Sequence, residues 1–156
     1  LDAVREQHGP DGIVELFHAQ WERVAGDAKS QLSSLPLAER TQLLAELLTS
    51  HGYMAQTDVT PNGEDALIRE HNCVLRAVAE RFPEVCVAEE RFLAEFLGAV
   101  VERRKHIASG ASCCEYCVKE RETGNGKREA GSGKREAGKE TRLGLRMMAI
   151  PRLRSE

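Results

Sequence analysis

The residues of this sequence best equipped for chemistry are its five cysteines: Cys73, Cys86, Cys113, Cys114 and Cys117. A thiolate is a nucleophile, a redox centre and a soft metal ligand. Taken as Cys73, Cys86 and Cys114, the spacing is Cys-x12-Cys-x27-Cys. That is not the compact spacing of a zinc ribbon or a C2H2 finger. A metal site here has to be assembled by the fold from distant pieces. The competing reading is that Cys73 and Cys86 are small buried apolar residues, a common fate of free cysteine. The odd count favours reduced thiols or a metal site over a disulfide framework.

Local structure then has to position these thiols. Cys73 follows Asn72 at a predicted helix start, and Cys86 falls in the first turn after Pro83. Both would sit near helix N-termini, where the macrodipole and free N–H groups favour a thiolate. Such positions suit an anionic iron–sulfur cluster. In a regular strand Cys114 shares one face with Tyr116 and Val118, while Cys113 and Cys117 share the other with Glu115. Cys114 and Cys117 then diverge. If Cys114-Glu-Tyr-Cys117 folds as a knuckle instead, both can ligate one site.

The remaining elements follow from periodicity. Ile13, Phe17, Trp21, Val24, Ala28 and Leu32 form one apolar stripe on a helix that starts near Asp11-Gly12. Pro36 starts a second helix over 37–50, with Leu43, Leu44, Leu47 and Leu48 inward. Strands at 53–59 and 66–70 flank a turn at Thr60-Pro61-Asn62-Gly63. A helix at 72–81 is broken by Pro83, which starts another over 83–97 with Val85, Ala88, Phe92, Leu93 and Phe96 inward. Strands at 100–107 and 112–118 complete the order ααββααββ. The fold class is α+β: helices packed on a small antiparallel sheet, followed by a disordered tail.

The net charge of −3 conceals two parts. Residues 1–118 hold 11 Lys+Arg and 19 Asp+Glu, which is −8, and 119–156 hold 11 and 6, which is +5. Gly126-Lys-Arg-Glu-Ala-Gly131 recurs as Gly133-Lys-Arg-Glu-Ala-Gly138. Such polar, glycine-rich sequence buries too little apolar area to offset the entropy of ordering it. The division is therefore a domain at 1–118 and a basic low-complexity tail at 119–156. No run of 18 apolar residues spans a membrane, and the first 15 residues are not a signal peptide, so the expected compartment is the cytoplasm.

Arg69-Glu-His-Asn-Cys73, Phe82-Pro-Glu-Val-Cys86, Leu97-Gly98, His106-Ile-Ala-Ser-Gly110 and Cys114-Glu-Tyr116 carry a resemblance. Together they resemble the sensor half of SufR-type transcriptional regulators, iron–sulfur-sensing repressors with an N-terminal winged-helix DNA-binding domain. The resemblance covers residues 1–118. It implies that Cys73, Cys86 and Cys114 bind an iron–sulfur cluster; it assigns no fourth ligand, for which Cys117, Cys113, His71, a small ligand or water are the candidates. It also implies DNA binding only through a winged-helix domain missing from this chain. The basic tail is not part of that pattern.

Other residues have plainer readings. His71 caps a turn, His106 is structural or donates a hydrogen bond to the site, and His8, His18 and His51 are solvated. Arg103-Arg104-Lys105 offsets the acidic helix at 83–97. Trp21 is a core residue or part of a dimer seam, and a homodimer is expected. No nucleophile–base pair, phosphate loop or paired-carboxylate motif marks an enzyme. The expected function is an effector domain that holds a cluster. The alternatives are a structural zinc site on the same thiolates, a ligand-binding or dimerisation module with buried cysteines, and a reactive-thiol enzyme.

Overall fold

The computed structural model describes residues 1–32, 34–60 and 65–121. The low-complexity segment, and with it the expected disorder of the tail from residue 122 onward, lies outside the described residues. Helix α1 (Asp2–Ala25) is interrupted at Gly9, whose φ of 68° and ψ of −171° leave the helical region, and Pro10 begins its second part. The expected stripe starts there with Ile13. It ends sooner than expected, because Gly26 at φ 50° stops the α-helix and a 3-10 turn (Gly26–Gln31) follows. Ala28 is consequently exposed.

Helix α2 (Leu37–Ser50) has its expected bounds and buries Leu44 and Leu48, but Leu43 faces solvent. Strands β1 (Ala55–Val59) and β2 (Asp65–Glu70) form the first hairpin. Where a ten-residue helix was expected, α3 (Arg76–Ala79) is a single turn. Helix α4 (Glu84–Leu97) starts after Pro83 and ends at Gly98, which holds a left-handed φ of 61°. All of its expected inward residues are buried. Strands β3 (Ala99–Lys105) and β4 (Cys114–Glu120) form the second hairpin.

The fold is α+β, with the order ααββααββ. The sheet is antiparallel throughout, in the order β1-β2-β4-β3, so the two hairpins join through β2 and β4. Ala66, Ile68 and Glu70 of β2 and Cys114, Tyr116 and Val118 of β4 turn the same face inward. Helices α2 and α4 cover that face, and α1 packs on α4. Trp21 belongs to this core: it stacks on Phe92 with ring centroids 4.9 Å apart and also touches Tyr53. A dimer seam is therefore not its role.

Strand β4 continues beyond Val118, where the domain was expected to end. Lys119 and Glu120 still pair with Val100 and Ala99, and Glu120 accepts from the Arg40 guanidinium on α2. Arg40 also donates to the Leu97 carbonyl, tying α2 to the end of α4. Among the described residues, no helix is long and apolar enough to cross a membrane.

Candidate metal centre

Three elements deliver the three spaced cysteines to one end of the core. Cys73 lies on the loop leaving β2. Its neighbour Asn72 fixes that loop by donating from its side chain to the Gly52 carbonyl at 2.7 Å and from its backbone to Tyr53 at 3.1 Å. Cys86 is in the first turn of α4, its N–H donating to the Pro83 carbonyl. Cys114 opens β4 directly opposite Glu70 of β2.

Short contacts knit the group together. The Ile107 N–H donates to Cys114 Sγ at 3.4 Å, and His106 Nε2 lies 3.3 Å from Cys86 Sγ. The other ring nitrogen of His106 faces Ser109 Oγ at 3.3 Å. Arg103 donates to the Cys86 carbonyl, pairs with Glu90 at 3.3 Å and lies over the Tyr116 ring. Its role towards α4 is the one expected of the basic cluster. Lys105 and Arg104 instead pair with Glu115 and Glu102 within the sheet.

Two carboxyls complete the pocket. Glu89 on α4 is buried and accepts from the Tyr116 hydroxyl at 2.8 Å and also from Tyr53. Glu70 is 1% exposed, and its Oε1 has no hydrogen-bond partner. Cys86 feels both Cys73 and Cys114 electrostatically, Cys114 feels Cys73, and Glu89 acts on all three thiols.

Burial dominates the acid–base chemistry. It pushes the Cys86 thiol up to about 12 and the Cys114 thiol up to about 11, with the nearby carboxyls adding to the shift. Cys73 is raised for the same first reason. Glu70 and Glu89 are raised as well, chiefly by burial. The expected thiolate-favouring effect of a helix N-terminus is thus outweighed by desolvation. Five acids, the three thiols and two carboxyls, lie together here, and Arg103 is the cation acting on three of them, Glu70, Glu89 and Cys86, as well as on Tyr116. A bound cation is what would let these acids ionise together.

No family model, curated protein or solved structure matches this chain. The chemistry of the site is therefore argued from its own side chains.

Those side chains fit a thiolate-held metal group. The thiols come from separate elements, backbone and imidazole groups address two of the sulfurs, and one buried carboxylate oxygen has no partner. Their spacing is also informative. A tetrahedral zinc with Zn–S bonds of about 2.3 Å brings its sulfurs to within about 4 Å of one another. Among the described residues, the trio of potential ligand atoms all within 4.8 Å of one another is His18, Glu22 and Glu95. Among the described residues, the three thiols do not form so tight a group.

The His18 trio is already neutralised. His18 Nε2 contacts Glu95 at 3.0 Å, and Lys29 reaches Glu22 at 2.9 Å and Glu95 at 3.8 Å. His18 is buried against α4, contrary to the solvated position expected for it.

Two expected fourth ligands do not reach the pocket. Strand β4 is regular from Cys114, so no knuckle forms. Cys117 pairs with Leu67 and Glu102 and shares the opposite face with Glu115. The His71 side chain is exposed, and its backbone N–H caps the turn by donating to Met54. Cys113 is buried just before β4.

The sequence reading missed Glu70, Glu89, Tyr53 and Tyr116. A signal for both carboxyls was present. Glu70 follows Ala66 and Ile68 at the inward period of a strand, and Glu89 sits among Val85, Phe92, Leu93 and Phe96 at inward helical spacing. A charge at such a position is costly unless it has a task.

Proposed function

We propose that this chain is the effector domain of a transcriptional regulator, in which Cys73, Cys86 and Cys114 hold an iron–sulfur cluster. In this reading the cluster controls DNA binding by a winged-helix domain that these residues do not include. The observation that carries it is the approach of three thiols, distant in sequence, to the buried carboxyls Glu70 and Glu89 at one end of the core, with Cys86 and Cys114 buried and Cys73 half-buried. The motif segments around them resemble those of SufR-type regulators, which supports the regulatory setting.

When bound, a thiolate-held cluster supplies an oxidation-labile cross-link. The chain's own part is mechanical. Cys73 fixes the exit of β2, Cys86 the start of α4 and Cys114 the start of β4, so these thiols couple the helical layer to the middle of the sheet. His106 and Ile107 orient two of the sulfurs. A change in how these elements meet is the kind of shift that alters a dimer and the DNA-binding heads attached to it. The same reading makes the protein a cytoplasmic homodimer with a regulatory task, not a catalytic one.

Anaerobic purification tests this. The expected protein is brown and carries iron and acid-labile sulfide in stoichiometric amounts. Changing Cys73, Cys86 or Cys114 singly to Ser removes the colour, whereas Cys117→Ser keeps it. Colourless protein with stoichiometric zinc would establish the structural zinc alternative. Protein indifferent to all three serine changes would establish the buried-thiol alternative.

A further inference from the structure

Three cysteines leave room for one further ligand to a metal group, and beside them is a candidate that is not a cysteine. We propose that the Glu70 carboxylate is the oxygen ligand that completes the Cys73–Cys86–Cys114 site. This inference rests on the cluster reading above.

The argument begins with an unmatched atom. Glu70 Oε1 is buried without a hydrogen-bond partner, in a residue only 1% exposed. A buried polar atom without a partner is destabilising, the more so for a charged group. Such an atom calls for an explanation, and a bound ion is one. Glu70 is placed for one: it lies directly across the β2–β4 ladder from Cys114 on the inward face, three residues before Cys73. Its charge acts on both Cys73 and Cys114.

Apart from Cys113, buried just before β4, the rivals for this position are otherwise engaged. Glu89 already accepts from Tyr116 and Tyr53. His106 has one ring nitrogen against Cys86 Sγ and the other against Ser109. Cys117 is on the far face of β4, and the His71 side chain is exposed. The plainest structural alternative is Arg103, whose buried Nε also lacks a partner and whose charge acts on Glu70. In that case Glu70 would be an acceptor awaiting a guanidinium, not a ligand.

Glu70→Gln separates the two. The amide keeps a carbonyl oxygen for Arg103 but loses the anionic ligand. The full chain is reconstituted anaerobically with ferrous iron and sulfide. Wild type and E70Q are both expected to take up the same iron and sulfide, because the three thiols remain. E70Q is expected to lose iron to a chelator at least tenfold faster. It is also expected to change its visible spectrum on addition of a small thiol, which wild type does not. Equal chelation rates and equal spectra in loaded protein overturn the assignment of Glu70 while leaving the cluster reading intact. Failure of wild type itself to take up iron and sulfide overturns the cluster reading, and this one with it. Should E70Q not fold, Mössbauer spectra of loaded wild type decide: one iron site distinct from the rest is expected, and equivalent sulfur-ligated sites overturn the proposal.

Discussion

Tyr116 shows what a single buried hydroxyl contributes to this pocket. It is fully buried and donates to Glu89 at 2.8 Å. Glu89 sits at an inward position of α4, where an unsatisfied carboxyl is costly. Tyr116→Phe keeps the ring and removes the donor, leaving Tyr53 as the remaining tyrosine bonded to Glu89. The expected loss is about 1–3 kcal/mol of unfolding free energy in the metal-free protein, read from urea melts. A change within about 0.5 kcal/mol would mean that Glu89 does not depend on this bond. The serine and glutamine variants above act at the same scale, and they read metal content rather than stability.

Between elements, the outward face of the sheet is held by charge. Glu115 on β4 accepts from Arg69 on β2 at 2.7 Å and from Lys105 on β3 at 3.2 Å, and Arg69 also pairs with Asp58 on β1. These cations hold the Glu115 carboxyl below its ordinary value, the Arg69 hydrogen bond contributing most. A lowered folded-state value stabilises the fold above the unfolded value of about 4.3 and is lost as pH falls through the folded one. Glu115→Gln should therefore lower the urea midpoint at pH 7, and the gap should close as pH drops below 4. A gap that stays constant with pH would assign the effect to packing. The network also shows what the sequence could convey. Strand alternation alone put Cys114 and Cys117 on opposite faces, with Glu115 beside Cys117, and that is the observed arrangement. The element order and the inward face of α4 were equally legible, because apolar spacing encodes them. The short α3, the early stop of α1 and the burial of His18 were not, because they depend on packing partners distant in the chain. Glu70 was quoted within a motif but given no task. Its importance comes from standing opposite Cys114, and strand register is a tertiary fact.

For the whole molecule, the structure moves the boundary in the charge distribution. With β4 running to Glu120, residues 1–121 hold 13 Lys+Arg and 20 Asp+Glu, which is −7, and 122–156 hold 9 and 5, which is +4. Every described element and core residue belongs to the acidic part, as does every cysteine. An acidic body repels phosphates, so affinity of this chain for DNA is expected from the basic segment. Such affinity would be electrostatic and would fall steeply with salt. A chain ending at Arg121 should keep the cooperative urea melt and the iron uptake of the full chain. In fluorescence anisotropy with a random duplex, any binding by the full chain at 50 mM salt should weaken by 200 mM and be absent from the shortened chain. Salt-resistant binding by the shortened chain would place a DNA-reading surface on the acidic body. The pocket would then lie within the DNA-binding unit itself and would not need to act on a separate winged-helix domain.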